Sequence, residues 1–420
     1  MAKKVVASVP RGMRDILPQQ MIRRQYVIDV VRGVFEEFGF EPLSTPAATY
    51  GDGKDRLALR YDLSVPLCRV VGMYPDLPKP FKRYQIAPVW RAERPQKGRY
   101  REFYQCDADT VGSASMLADA EILNVIYEVL RRLGFKRFVI NINDRKILTG
   151  IGQFSGVPGE LLGGLYRSID KLEKIGLAGV REELRRNEIP DDVIEKMLDL
   201  LQIEGENEAV LASLRDRLGS YPVALEGIDE LEEIIGSLKA LDIPEEFYQF
   251  KFAMVRGLEY YTGPIYETTI EEPRMPSITG GGRYDELVGM FSQRNYPATG
   301  TSIGIERIID AMEELNMFPP NIGKTVAQVL VTVFDKTLVN ASLQMANTLR
   351  LGELKTEMYF EQDPLGTQLR YAGKKGIPYV VILGPDEVAA GQVTVRDLVR
   401  KEQQTVSQAE AVGLIRQWMV

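Results

Sequence analysis

The sequence predicts an α/β protein in pieces: an antiparallel sheet, a helical insertion inside it, and a separate C-terminal α/β domain. Phe81–Trp90 and Arg101–Val111 read as strands flanking a long basic loop, which is the pattern of an antiparallel hairpin. Between Asp144 and Phe250 the texture becomes helical, and from Gly323 strand-like and helix-like stretches alternate. At 420 residues the chain can bury more than one core, so two or three domains are expected.

Taken in order, Ile22–Phe38 carries apolar residues at helical spacing, and FGFEPLSTP then turns through Gly39 into a strand closed by Pro46. Leu57–Tyr61 reads as a strand, and Val65–Met73 as a helix with Pro66 in its first turn. Ser115–Leu133 predicts a helix capped by Ser115, with Ile122, Val125, Ile126 and Leu130 as its buried stripe. Phe138–Asn143 is the next strand. KILTGIGQF, YRSIDKLEKIGLAGVREELRR, DDVIEKMLDLLQI and IDELEEIIGSLKAL form the insertion. Strands resume at Phe252–Val255, Ile265–Ile270 and Ala298–Ile303, followed by a helix at Glu306–Leu315. VAQVLVTVF, LQMANTLRLGEL, KTEMYF, GTQLRYAGKKG and YVVILG then predict strand–helix–strand–helix–strand, hence a largely parallel sheet. The corresponding segments are 1–143, 144–250, 251–320 and 321–420.

Composition narrows the chemistry. Histidine is absent, which removes imidazole acid–base catalysis, Cys–His nucleophiles and His-bearing zinc sites. Cys68 and Cys106 are the two cysteines, so a disulfide framework is not expected and the cytoplasm is the natural compartment. No apolar run is long enough to span a bilayer, so no membrane partner is expected, and MAKKVVASVPRGM does not read as a secretory signal. The net charge of -7 argues against indiscriminate nucleic-acid binding. A local basic patch still suits a specific polyanion, and Arg91, Arg94, Lys97, Arg99 and Arg101 make such a patch.

Several residues stand where chemistry is possible. Arg91 ends a strand and Arg307 opens a helix; planar guanidinium groups of this kind match phosphate oxygens in bidentate fashion, although surface ion pairs explain a lone Arg equally well. Glu93 can accept from an amino group or order the loop. In RYDLS, Asp62 and Ser64 share one side if extended, and Gln105 and Asp109 fall on one face of a strand, where acceptors suit an ammonium ligand. MVRGLEYYTGPIYE gathers Arg256, Tyr260, Tyr261 and Tyr266, a functional cluster or packed aromatics. GGGRYDE allows close approach of backbone to a ligand, or is a plain loop.

These stretches together resemble the histidyl-tRNA synthetase family of class II aminoacyl-tRNA synthetases nearly end to end. RGMRDILP is similar to the family's opening, FGFEPLSTP to the dimer-forming motif 1, FKRYQIAPVWRAERPQKGRYREFYQCD to motif 2 and GTSIGIER to motif 3; MVRGLEYYTG and GGGRYDELV resemble the two histidyl signatures. The resemblance implies a class II antiparallel-sheet catalytic domain with a helical insertion that clasps the tRNA acceptor arm, plus an anticodon-binding α/β domain. It implies activation of L-histidine with ATP and Mg2+, transfer to tRNA(His), and a homodimer. By the same resemblance Arg91 contacts the α-phosphate of ATP, Glu93 the adenine end and Arg307 the γ-phosphate. Asp62, Ser64, Gln105 and Asp109 hold the amino end of histidine, while Tyr260, Tyr261 and Tyr284 line its ring pocket. Arg256 is the catalytic cation that also meets histidine, and Lys97 and Arg99 serve tRNA. One departure is the short AATYGDGKDRLA after Pro46, where the family carries a longer excursion. It reads as a deletion or as a lid segment absent from the sequence; the second is favoured because lids over active sites are mobile. The rival readings are the histidine-sensing regulatory subunit of ATP phosphoribosyltransferase and a pseudo-synthetase. Arg91, Arg256, Arg307 and the C-terminal domain count against them.

Overall fold

In the computed structural model the described residues are 7–50, 56–95, 98–169, 171–203, 205–252, 254, 260–273, 275, 277–320 and 322–419. They divide into two compact units, 7–15 with 27–317, and 16–26 with 318–419. Helix α1 (Pro18–Glu37) contributes to both.

The larger unit contains β1 (Glu41–Pro42), β2 (Ala48–Tyr50), β3 (Leu57–Leu59), α2 (Ser64–Met73), β4 (Phe81–Trp90), β5 (Glu102–Val111), α3 (Met116–Arg132) and β6 (Phe138–Asp144). Helices α4 (Arg145–Ser155), α5 (Gly159–Ile169), α6 (Leu172–Arg186), α7 (Asp191–Leu200), α8 (Asn207–Leu218) and α9 (Pro222–Ala240) follow without a strand among them. The chain then completes the sheet with β7 (Tyr248–Phe250), β8 (Pro264–Ile270), β9 (Thr279–Arg283) and β10 (Ala298–Gly304), and leaves it by α10 (Ile305–Glu314). The strand order in the 8-stranded sheet is β1-β4-β5-β10-β9-β8-β6-β7. Every internal pairing is antiparallel; only the edge strands β1 and β7 pair in parallel.

Local chemistry explains the elements that cover the sheet. Ser115 accepts from the Leu117 N–H at 3.2 Å, opening α3, and Ile122, Leu123, Ile126 and Leu130 form its buried stripe. Gly39, at φ +76°, supplies the left-handed turn that stops α1, so that Phe40 packs back on Phe35. Phe35 in turn meets Tyr84 of β4. Tyr84, Ala108 and Thr299 share this reverse face by pleat alternation, whereas Arg83, Asp109 and Gly300 share the other.

Four expectations change. The strand read at Phe252–Val255 lies instead at Tyr248–Phe250, because pairing with β6 decides its position; Ala253 and Val255 fall outside the described residues. The glycine run, read as a backbone approach to a ligand or as a plain loop, is strand β9: a Cβ on Gly281 would collide with the Gly300 carbonyl of β10, so glycine permits the two strands to approach. Asp62 and Ser64 are not extended, since α2 begins at Ser64 and the Val65 N–H donates to Asp62 Oδ1 at 3.2 Å. Finally, β2 and β3 pair as a small antiparallel ribbon across the shortened segment.

The C-terminal unit contains β11 (Val329–Val331), α11 (Val339–Leu351), β12 (Thr356–Met358), α12 (Leu365–Lys375), β13 (Tyr379–Ile382), α13 (Pro385–Ala389), β14 (Gln392–Asp397), β15 (Glu402–Ser407) and α14 (Ala411–Met419). Its order is β12-β11-β13-β14-β15. The first three strands are parallel as expected, but β14 and β15 add an antiparallel ribbon that the sequence reading lacks. Both faces are buried: Val329 and Val331 pack with Met345, Leu349 and Ile415, and Leu330 and Val380 with Ala372.

Candidate functional site

The cleft face of the large sheet floors a cavity of about 490 Å³. Asp62, Ser64, Arg91, Glu93, Arg99, Gln105, Asp109, Tyr260, Tyr261, Tyr284 and Arg307 all line it. Arg256 and Lys97 lie outside the described residues. Every other predicted site residue is therefore brought to one place.

Strand β5 supplies the floor. Gln105 and Asp109 stand on one face with Asp107 between them, facing Gly304, Ser302 and Gly300 of β10. Gly300 is required here, because a Cβ would strike the Asp109 carboxylate. Gln105 donates to the Ser302 hydroxyl at 2.7 Å. Arg83, opposite Asp109 on β4, places Nη2 2.9 Å from Asp109 Oδ2, an ion pair by distance though not aligned as a hydrogen bond. The same nitrogen donates to the Leu63 carbonyl at 3.0 Å, tying the Asp62 loop to the sheet. Tyr284 donates its hydroxyl to Asp109 Oδ1. Tyr260 packs at 4.8 Å from Tyr261 and edge-on to Tyr284 at 6.0 Å, so the three rings form one wall. Tyr266, grouped with them in the sequence reading, sends its hydroxyl to Asp119 on the reverse face.

The other end is basic. Arg91 leaves β4 with its Nε donating to the Tyr61 carbonyl at 3.1 Å and its guanidinium over the Phe103 ring. Arg307 sits in the first turn of α10 and donates to the Ser277 carbonyl. Glu306 accepts from the Tyr104 N–H at 3.2 Å and from Arg14 at 2.8 Å, fastening the N-terminal segment to this wall. Arg99 meets Glu93 at 3.4 Å with both side chains largely exposed. It thus lies on the cleft wall near the basic end.

Burial raises the Asp62 carboxyl above its ordinary range, with the Val65 N–H and the Arg91 and Arg83 cations pulling against it. Burial likewise raises Asp109, opposed by Arg83 and the Tyr284 hydroxyl. Asp107 is pushed up to about 7, chiefly by burial, with Arg83 lowering it and Asp109 raising it. Asp62 Oδ2, Gln105 Oε1 and Asp107 Oδ1 are buried without a hydrogen-bond partner. Such acceptors are rare in folded proteins and suit a ligand that brings donors. Asp107 was missed by the sequence reading, yet the period of two that selected Gln105 and Asp109 also passes through it.

An antiparallel sheet used as the floor of this cleft separates the fold from doubly wound nucleotide-binding domains and agrees with the class II aminoacyl-tRNA synthetase architecture that the motifs resemble. The model of the Histidyl-tRNA synthetase family matches residues 12–308, and that of the Anticodon binding domain matches 328–418. The chain belongs to the histidyl-tRNA synthetase family. A relative from Aeropyrum pernix named Histidine–tRNA ligase is 42% identical over 429 residues, covering 97% of this chain and 97% of its own length. The solved histidyl-tRNA synthetase from Nostoc sp. PCC 7120 superposes with a TM-score of 0.89 at 34% identity, over 99% of this chain and 100% of that one. A Bacillus halodurans structure titled as an ATP phosphoribosyltransferase regulatory subunit/histidyl-tRNA synthetase matches at TM-score 0.75 and 20% identity, covering 89% and 97%. That likeness concerns the fold alone.

Proposed function

We infer that this chain activates L-histidine with ATP to histidyl-adenylate and transfers the histidine to the 3′ end of tRNA(His). The observation that carries this reading is the polarity of one cleft: buried, unpartnered acceptors at one end and guanidinium groups at the other. An amino acid presents an ammonium to the first and a carboxylate to the second. The histidine carboxylate attacks the α-phosphorus of ATP and pyrophosphate departs. Arg91 holds the carboxylate and α-phosphate, Glu93 the adenine end and Arg307 the γ-phosphate. Asp62, Ser64, Gln105 and Asp109 orient the amino acid, and Tyr260, Tyr261 and Tyr284 enclose its ring. Arg256 supplies a further cation to the α-phosphate. No side-chain nucleophile is needed, because orientation and charge stabilisation lower this barrier. Mg2+ would neutralise charge on the β- and γ-phosphates; among the described residues no cluster of three carboxylates could hold it by itself, so the phosphates would supply its anionic ligands.

The segments 1–143 and 251–320 would form the catalytic domain, 144–250 an insertion for the acceptor arm, and 321–420 the anticodon-binding domain. Arg99 and Lys97 would meet tRNA. A homodimer formed through FGFEPLSTP is supported by β1, which ends the sheet with an edge available for extension. The buried thiols Cys68 and Cys106 suit the cytoplasm. Among the described residues no helix is long and apolar enough to cross a membrane. Incubation with histidine, ATP, Mg2+ and labelled pyrophosphate tests the reading: exchange into ATP without tRNA is expected. Histidine binding without exchange would favour a regulatory subunit.

A further inference from the structure

Asp107 stands in the middle of the cleft, and the roles above leave it none. The residue is 2% exposed, lines the cavity, and keeps Oδ1 buried without a hydrogen-bond partner. The Ser302 hydroxyl serves the carboxyl, but a dry carboxylate with one oxygen left open is unfavourable. The titratable and charged groups around it are Asp62 from the loop before α2, Asp109 on its own strand, Arg83 on β4, and the hydroxyls of Tyr260 and Tyr261. Arg83 is the cation buried among them, and its Nη2 is directed to Asp109 and the Leu63 carbonyl. Arg91 also acts on Asp62, so three carboxyls face two guanidinium groups and the deficit is in positive charge.

Position along β5 selects the ligand group. Tyr284, a wall of the ring pocket, donates its hydroxyl to Asp109, so that carboxyl stands at the ring-lined end and not at the amino end that the resemblance implies, while Arg91 marks the end where a carboxylate belongs. Two strand residues advance about 7 Å, so a histidine-sized ligand with its ring at Asp109 brings its α-carbon level with Asp107. Resting on the function inferred above, we propose that Asp107 is a further substrate-contacting residue, its carboxylate accepting an N–H from the α-ammonium alongside Asp62 and Gln105. The raised Asp107 carboxyl fits this role, since an arriving ammonium draws it to the ionised form.

Calorimetry on the full chain and on Asp107→Asn separates the contacts, using histidine, histamine (no carboxylate) and imidazole-4-propionate (no ammonium). At pH 8 the variant is expected to weaken histidine and histamine about tenfold or more, the loss of a charge-assisted hydrogen bond, and imidazole-4-propionate less than about twofold. At pH 6 the difference should shrink, because wild-type Asp107 is then largely protonated. In pyrophosphate exchange KM for histidine should rise with kcat nearly unchanged. Equal weakening of all three ligands would show a structural role and overturn the proposal, as would unchanged histamine binding. Absence of exchange by the wild type counts against the enzymatic reading alone; the calorimetric contrast still decides the role of Asp107.

Discussion

On the reverse face of the large sheet, Asp119 of α3 accepts from Arg283 Nε at 3.1 Å and from the Tyr266 hydroxyl, while Arg283 also donates to the Ser113 and Ser115 carbonyls at 2.9 and 3.1 Å. On the cleft face, a few ångströms of backbone away, Asp62, Gln105 and Asp107 each keep a buried oxygen without a donor. Both constellations are dry and lie on opposite faces of the same sheet. The Asp119 group finds its donors within the chain and joins α3 to β8, β9 and β10. The cleft face leaves acceptors open, which a fold tolerates where binding is at stake. Buried charge alone therefore says little; whether its partners come from the chain separates architecture from site.

Removing one member of the closed network should have the largest effect. Asp119→Ala strands Arg283, itself 2% exposed, and should destabilise the protein by about 3–5 kcal/mol in chemical denaturation. A loss below about 1 kcal/mol would place the reverse-face pair outside the architecture. Arg91→Ala should do the reverse, lowering pyrophosphate exchange by about 10²-fold with the denaturation midpoint nearly unchanged. If exchange stays within a few-fold of normal, Arg91 does not meet the reacting phosphate.

Asp107→Asn carries a pH signature. Burial raises the folded-state carboxyl to about 7, so the native protein retains a proton that the unfolded chain has lost. Stability is thus lost as pH rises from about 4 through about 7, where the group must ionise in place. The Asn variant should be more stable than the parent by about 4 kcal/mol at pH 8 and no more stable at pH 4. Parallel denaturation curves at both pH values would mean that water or a neighbour relieves Asp107 in the free protein. Smallest is Arg99→Ala. An exposed pair with Glu93 contributes under about 1 kcal/mol, so exchange should fall by less than about threefold while transfer to tRNA slows further. Equal losses in the two half-reactions would assign Arg99 to the nucleotide end alone.

How much of this was legible in the sequence follows from the range of the forces involved. Helix α3 and the β4–β5 hairpin announce themselves through short-range patterns, a capping serine and alternation about a polar loop. Strand β7 does not, because the Lys251 N–H bonds to the Ile142 carbonyl and a partner distant in sequence sets where pairing ends. The glycines of β9 looked like a loop because their reason is the backbone of β10. The β14–β15 turn was silent for another cause: its left-handed residue is Lys401, not glycine or asparagine. In the site, chemistry-bearing residues were readable by resemblance, but Asp107 required knowing that its oxygen has no donor, which only a folded neighbourhood defines.

The separation of acids from guanidinium groups along one cleft also acts before any contact forms. Asp107 and Asp109 toward one end of β5 and Arg91 and Arg307 toward the other give the cavity an electric dipole whenever the acids are ionised, sharpened by low-dielectric walls. A zwitterion drifting into that field feels a torque, and its mirror-reversed approach meets repulsion at both ends. The cleft thus sorts its visitors by orientation at a distance, and its hydrogen bonds need only fix what the field has already aligned.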